Sequence, residues 1–256
     1  MRKPLQMTFP FGFVASVAAL VLASAITPYA SAVVVPNHSF EPVGGDFDAG
    51  DGGIFPNGTT GSPVTEAGWE FTGPTAFKGI FDPNDASFTG STGDNALLPA
   101  PADGGQVAYV DLDDNPLGTI VSPDLGSVLG ATLYTLDVAV GRRLDNDFRE
   151  ASDYRVNILL NDVVVGSSSL LVGSDLTAGT FTDLQATFTS SPTAAGELSI
   201  LLEAVGNDSV STFQQGLFDN VRLEATPLTD RAPAVPEPMT ALLGVAGLGA
   251  LAVRRR

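Results

Sequence analysis

The chain has 256 residues, with 12 Lys and Arg, 29 Asp and Glu, one His, one Trp and no Cys. Without cysteine there are no disulfide frameworks, thiol nucleophiles or thiolate metal sites, and with His38 as the only imidazole a multi-histidine metal centre within one chain is excluded. A formal charge of −17 opposes nucleic-acid binding, because phosphate contacts need clustered Lys and Arg.

In chain order, Arg2 and Lys3 precede an apolar run from Phe11 to Ile26, followed by Ala30-Ser31-Ala32. A basic start, an apolar middle and a small-residue triplet predict a secretory signal helix over residues 1–32, removed by signal peptidase. The alternative is a retained transmembrane helix. The mature chain then begins near Val33.

Residues 33–225 predict one acidic β-domain. With the linker included, residues 33–235 hold seven basic residues against 28 acidic ones, and Lys78 is the only lysine among them. Such a surface attracts divalent cations and repels anionic partners. Glycine and proline interrupt residues 41–105, where strands are expected at Gly68–Thr72 and Thr75–Phe81, with Val34–Phe40 before and Gln106–Leu112 after. Further on, Thr132–Val140 alternates imperfectly around Tyr134, whereas Tyr154, Val156, Ile158 and Leu160 keep a strict period of two. Asn161-Asp162 then separates two apolar runs as a two-residue hairpin signal. Thr180–Thr189, Glu197–Val205 and Leu217–Leu223 continue the series, and no capped helical stripe lies between Val33 and Ala225. Many short strands with turns between them predict an antiparallel β-sandwich or jelly roll.

After a linker over 226–235, Pro236-Glu237-Pro238 precedes fifteen apolar or small residues, Met239 to Val253, and then Arg254, Arg255 and Arg256. As a helix this span covers roughly 22 Å, short of the ~30 Å hydrocarbon core unless its flanks assist. The trailing positive charges favour a cytoplasmic end. These residues resemble the PEP-CTERM sorting signal of bacteria that make extracellular polysaccharide. The resemblance implies export, a membrane-held C-terminal helix and processing by an exosortase, with extracellular polysaccharide as a partner of the mature protein.

Within the domain, Pro36-Asn37-His38-Ser39-Phe40-Glu41, Gly68-Trp69 and Phe218-Asp219-Asn220-Val221-Arg222-Leu223 resemble the galactose-binding-like jelly rolls of carbohydrate-binding modules. Together with Tyr134-Thr135-Leu136-Asp137-Val138 they also resemble secreted domains grouped with the Stig cyclases. The first resemblance implies a structural Ca²⁺ held by Glu41 and Asp219, against the alternative of two solvated edge charges. Trp69 is either a core anchor or a platform for a sugar ring. Asp46 to Gly52 has the look of a calcium loop but lacks the EF-hand order of ligands, and Asp111 to Asn115 and Asp145 to Asp147 read as solvated acidic turns or, second in rank, as cation sites. Three functions follow. The leading one is a non-enzymatic, exported carbohydrate-binding domain with no catalytic residue assigned. A Stig-cyclase-like catalyst, using a carboxylic acid to protonate an isoprenoid-indole substrate while aromatics shield the cation, is the enzymatic alternative; a purely structural surface protein is the third.

Overall fold

A computed structural model describes residues 30–41, 54–57, 64–66, 68–73, 77–81, 83, 87–89, 97–112, 117–144, 149–206 and 213–228. Its strands are β1 (Ser31–Val33), β2 (Ile54–Asn57), β3 (Val64–Glu66), β4 (Trp69–Thr72), β5 (Phe77–Phe81), β6 (Val107–Leu112), β7 (Leu117–Val121), β8 (Thr132–Arg142), β9 (Arg149–Ala151), β10 (Asp153–Leu160), β11 (Val163–Ser167), β12 (Thr180–Thr189), β13 (Leu198–Val205) and β14 (Phe213–Pro227). One sheet runs β12-β8-β14-β6-β5-β2, with β1 and β9 also paired to β14; the second runs β11-β10-β13-β7-β4-β3. Every pairing is antiparallel except that of β9 with β14. The all-β, two-sheet antiparallel architecture matches the one predicted.

The alternation read from the sequence has a physical counterpart. Tyr134, Leu136, Val138 and Val140 of β8 point inward, opposite Tyr154, Val156 and Ile158 of β10 and Ile200 and Leu202 of β13, in one continuous core. The break in period at Tyr134 is resolved in favour of the tyrosine, which is buried while Leu133 is only half-buried. Its hydroxyl accepts a hydrogen bond from the Leu129 N–H at 2.6 Å. Tyr154 is buried too, and its hydroxyl donates to the Gly141 carbonyl at 2.6 Å, tying the two sheets together. In the hairpin, Asn161 and Asp162 both take positive φ, 50° and 62°, the conformation that makes this dipeptide a tight-turn signal.

Two expectations are corrected. Val34–Phe40 is not a strand: the strand is β1, and the chain then turns, with Asn37 at φ 44° and Phe40 at φ 54°. Pro36 offers no N–H to a ladder, and the turn swings Phe40 inward, 5.1 Å between ring centroids from Trp69. The second concerns the acidic run from Asp111, whose first residue is buried in β6, 2% exposed, not solvated in a turn. The predicted signal helix over 1–32 lies almost wholly outside the described residues, although Ser31 and Ala32 belong to β1. The C-terminal helix falls outside them altogether. No helix among the described residues is long and apolar enough to cross a membrane.

Candidate functional site

The eight-stranded sheet carries a second apolar cluster on the face turned away from the other sheet. Val107 and Tyr109 alternate with inward Ala108, Val110 and Leu112 along β6, and Leu217 alternates with inward Phe218 along β14. Ala139, Phe181, Phe88, Leu98 and Ala102 complete the cluster, the last three supplied by segments 87–89 and 97–102 lying over the sheet. Phe88 and Phe181 stand 4.9 Å apart. Phe181 lies so close on β8 that a Cβ at Gly141 would come within 2.4 Å of its ring; only glycine admits the ring there.

At one end of this cluster lies the carboxylate pair. β14 carries a bulge between Asp219 and Arg222, with Asn220 at φ 44°. The extra residue resets the alternation, so that Phe218 and then Val221, Leu223 and Ala225 all reach the core while Asp219 stays on the outward face. At the bulge β14 exchanges β6 for β1 as its neighbour. The gap is closed by two loops: the Val221 N–H donates to the His38 carbonyl at 2.8 Å, and Asn220 Nδ2 donates to the Pro101 carbonyl at 2.7 Å.

Glu41 and Asp219 meet on one turn, residues 103–106. Glu41 Oε1 accepts from the N–H groups of Gly105 and Gln106 at 2.7 and 3.2 Å. Asp219 Oδ2 accepts from the Asp103 N–H at 2.7 Å. Gly104, at φ +71°, lies beneath the Glu41 carboxylate, where a Cβ would stand 1.8 Å from Oε1. Asp219 is fully buried, and its Oδ1 has no hydrogen-bond partner. Burial first, then the charges of Glu41 and Asp103, push its pKa up to about 8 against the stabilising N–H bonds of Asp103 and Asn220. A buried carboxylate with an unpartnered oxygen and acidic neighbours calls for a proton or a cation. The donor set, two carboxylates beside backbone carbonyls, is of the oxygen type that Ca²⁺ takes. Among the described residues no group of three or more His, Asp and Glu gathers as a ready metal cage.

At the other end of the cluster sits a carboxyl with a different environment. Asp111 follows Tyr109 on the outward face of β6, and Gln215 precedes Leu217 on the outward face of β14, in register with it. Gln215 Nε2 donates to Asp111 Oδ1 at 2.7 Å, both side chains being buried. Gln215 Oε1 has no hydrogen-bond partner. The sequence missed this pair. Its only trace was the departure of an acid and an amide from the apolar pattern of two strands, 104 positions apart.

The remaining predicted residues are distributed as follows. Trp69 is fully buried in the core, donating its Nε1–H to the Pro36 carbonyl at 3.0 Å; it is the core anchor and has no face open to a sugar. His38 is exposed, and its backbone carbonyl is what the fold uses. Lys78 is buried on the inward side of β5, and desolvation lowers its pKa. Asp46 to Gly52, Asp113 to Asn115, Asp145 to Asp147 and the sorting residues Pro236, Glu237, Pro238 and Arg254 to Arg256 lie outside the described residues.

Comparison with known proteins bears on the whole described domain. A Stig cyclase from Fischerella sp. TAU, in complex with (3Z)-3-(1-methyl-2-pyrrolidinylidene)-3H-indole, aligns with a TM-score of 0.56 at 23% identity, over 78% of this chain and 99% of that one. A further crystal structure of a cyclase from Fischerella sp. TAU gives a TM-score of 0.51 at 25% identity, over 78% and 98%. The module TmCBM61, in complex with β-1,4-galactotriose, reaches a TM-score of only 0.39 at 12% identity, over 75% and 97%, too loose a fit to carry an argument. None of the curated proteins matches. The sequence pattern of the HpiC1-like family, described as HpiC1 cyclase, matches residues 31–224. The match runs from the first residue of β1 to within three residues of the end of β14, and this chain therefore belongs to the HpiC1-like family.

Proposed function

We propose that this chain is an exported catalyst of the cyclase type, in which the carboxyl of Asp111 delivers and recovers the proton of a cation-mediated ring closure. The observation that carries the reading is the Asp111–Gln215 pair, a buried carboxyl held by an amide at the rim of an aromatic cluster. A proton passes from the carboxyl to a carbon–carbon double bond of the substrate, leaving a carbocation. Ring closure consumes a second π bond, and loss of a proton to the carboxylate restores the acid, so the reaction is an isomerisation that needs no oxidant or reductant. Tyr109, Phe181 and Phe88 are buried in the same cluster, so their π faces reach a substrate cation only where the substrate displaces what covers them. Gln215 holds the plane of the carboxyl. The substrate class is an indole bearing an isoprenoid chain, as the Stig cyclase resemblance implies.

The family match turns the order of the two functional readings around. The carbohydrate-binding reading drew on Trp69 as a platform, and that ring is buried. The deciding experiment incubates the purified full chain with a prenylated indole and follows appearance of a product of unchanged mass. General acid catalysis of this kind contributes about 10²–10⁴-fold, so Asp111→Asn lowers turnover by at least about 100-fold. Equal turnover by both proteins defeats the assignment. Saccharide retention on a glycan array without any conversion restores carbohydrate binding to first place.

The proposal also gives Glu41 and Asp219 a structural Ca²⁺, supported by the unpartnered Oδ1 of Asp219. That ion fixes the 103–106 turn under the cluster and supplies no step of the reaction. Delivery rests on the sequence: a signal over 1–32, then exosortase recognition of Pro236-Glu237-Pro238, the apolar span and Arg254 to Arg256. A chain lacking residues 229–256 that fractionates identically to the intact one overturns the sorting role.

A further inference from the structure

Gln215 is fixed through both its backbone and its side chain. The backbone lies between two strands, opposite Asp111 of β6 and Ala151 of β9, and its carbonyl accepts from the Ser152 N–H at 3.1 Å. The side chain, only 4% exposed, donates through Nε2 to Asp111 Oδ1 at 2.7 Å. That bond sets the amide, because an ionised carboxylate only accepts and therefore takes the NH₂ arm. The other arm, Oε1, is buried with no hydrogen-bond partner. A buried acceptor left unpaired costs stability, and in a native fold it marks a place where a donor is missing. Tethering Asp111 accounts for one arm of the amide and leaves the second unexplained.

Along the outward face of β14 the side chains run Phe213, Gln215, Leu217. Phe213 is 52% exposed, whereas Leu217 belongs to the buried cluster with Tyr109 and Phe181. Each lies two residues from Gln215, about 7 Å along the strand. The unpaired acceptor thus stands between an exposed aromatic ring and a buried aromatic cluster, beside the carboxyl that the reaction uses. An acceptor selects a donor. The ligand that suits these three positions brings an N–H or O–H, a flat ring to lie toward Phe213 and an apolar part for the cluster. An indole carries one N–H and no other hydrogen-bonding group, and its isoprenoid chain is the apolar part.

We infer that Gln215 Oε1 accepts the ring N–H of the substrate, with the ring toward Phe213 and the chain running past Asp111 toward Leu217 and Tyr109. The inference rests on the cyclase reading above and names the side chain that orients and selects its substrate. One amide then holds the acid with Nε2 and the ring with Oε1, so the spacing between proton donor and substrate is set by a single rigid group. Closure onto the indole draws positive charge toward the ring nitrogen, which makes its N–H a stronger donor as the reaction proceeds.

The test is isothermal titration calorimetry of the purified full chain with a prenylated indole, its N-methyl derivative and the benzofuran analogue, in which oxygen replaces N–H without added bulk. The unaltered chain is expected to bind the indole at least about tenfold more tightly than either analogue, and Gln215→Met to bind all three alike. Phe213→Ala, at an exposed position, is expected to weaken all three by about 2- to 10-fold and to keep the preference, which leaves a second variant should Gln215→Met fold poorly. Affinities of the unaltered chain within about twofold of one another overturn the inference and give Oε1 to an ordered water; a preference that survives Gln215→Met overturns it too. Turnover of the same compounds distinguishes its failure from that of the parent reading. Conversion of the indole without preference in binding defeats the inference alone, preference in binding without conversion defeats the cyclase reading alone, and no binding of any compound defeats both.

Discussion

The two ends of the outward cluster on β6 and β14 use the same chemical group for opposite purposes. Asp219 and Asp111 lie on one face of paired strands, about 13 Å apart along the strand direction by the rise per residue. Asp219 is met by a turn N–H, two other acids and no hydrogen bond at Oδ1; Asp111 is met by a glutamine amide and an aromatic patch. Burial is nearly complete at both, so burial alone does not set a carboxyl's task. Its neighbours decide whether it is short of a cation or placed to exchange a proton.

The largest expected effect separates the two in function. Asp111→Asn lowers turnover by at least about 100-fold while moving the melting temperature little, because the hydrogen bond with Gln215 can be rebuilt by the amide. Asp219→Asn has the reverse profile in the presence of calcium: a lower melting temperature with Asp111 left in place. Differential scanning calorimetry beside a turnover assay checks both, and a variant pair that loses both properties together denies that the two ends are separate.

The next effect is one of pH and metal. The Asp219 pKa rises from 3.8 in the unfolded chain to about 8 in the metal-free fold, so the folded state binds the extra proton. Stability from this group is therefore greatest at low pH and declines as pH rises from about 4 to about 8. Calcium reverses the sign of the local field. At pH 8, calcium at about 100 times its dissociation constant stabilises by about 2.7 kcal/mol, a rise of about 5–10 °C in Tm for a domain of this size. EDTA removes the rise, and Glu41→Gln or Asp219→Asn removes the response. A melting curve indifferent to calcium at pH 8 ends the metal assignment.

Smaller still is the cost of disturbing the turn. Gly104→Ala brings a methyl into the Glu41 carboxylate and strains a positive φ; about 1–3 kcal/mol of stability should go, read by chemical denaturation, and the calcium response should weaken with it. At the bottom of the scale, Arg222→Ala breaks a 2.6 Å ion pair with Asp183 on the exposed part of the same face. Solvent screening holds that loss below about 1 kcal/mol. A larger loss there would mean that the outward face is more coupled than its two ends suggest.

Legibility in the sequence followed the number of covered faces. Burial alternates residue by residue along β13 and the first half of β8, where the period of two has a direct counterpart, whereas β10 is buried at all but Arg155 and Leu160 and showed its period through residue type. β6 is covered on both faces and buried throughout, so Tyr109 and Asp111 carried no mark of which side they faced. The short strands β2, β3, β7 and β9 gave too little pattern to detect. Glu41 and Asp219 came into view through family motifs, whereas Asp111–Gln215 did not, because neither residue sits in such a motif.

The sequence by itself determined the class of fold, the acidic surface, and the exclusion of thiol and multi-histidine chemistry. These follow from local periodicity and residue type. Only the tertiary structure decided that Trp69 is interior, that the β14 bulge turns Asp219 onto the 103–106 turn, and that an acid and an amide 104 positions apart share a hydrogen bond. Each of these depends on strand register across the sheet, which is fixed by the packing of distant segments and leaves no periodic trace along the chain.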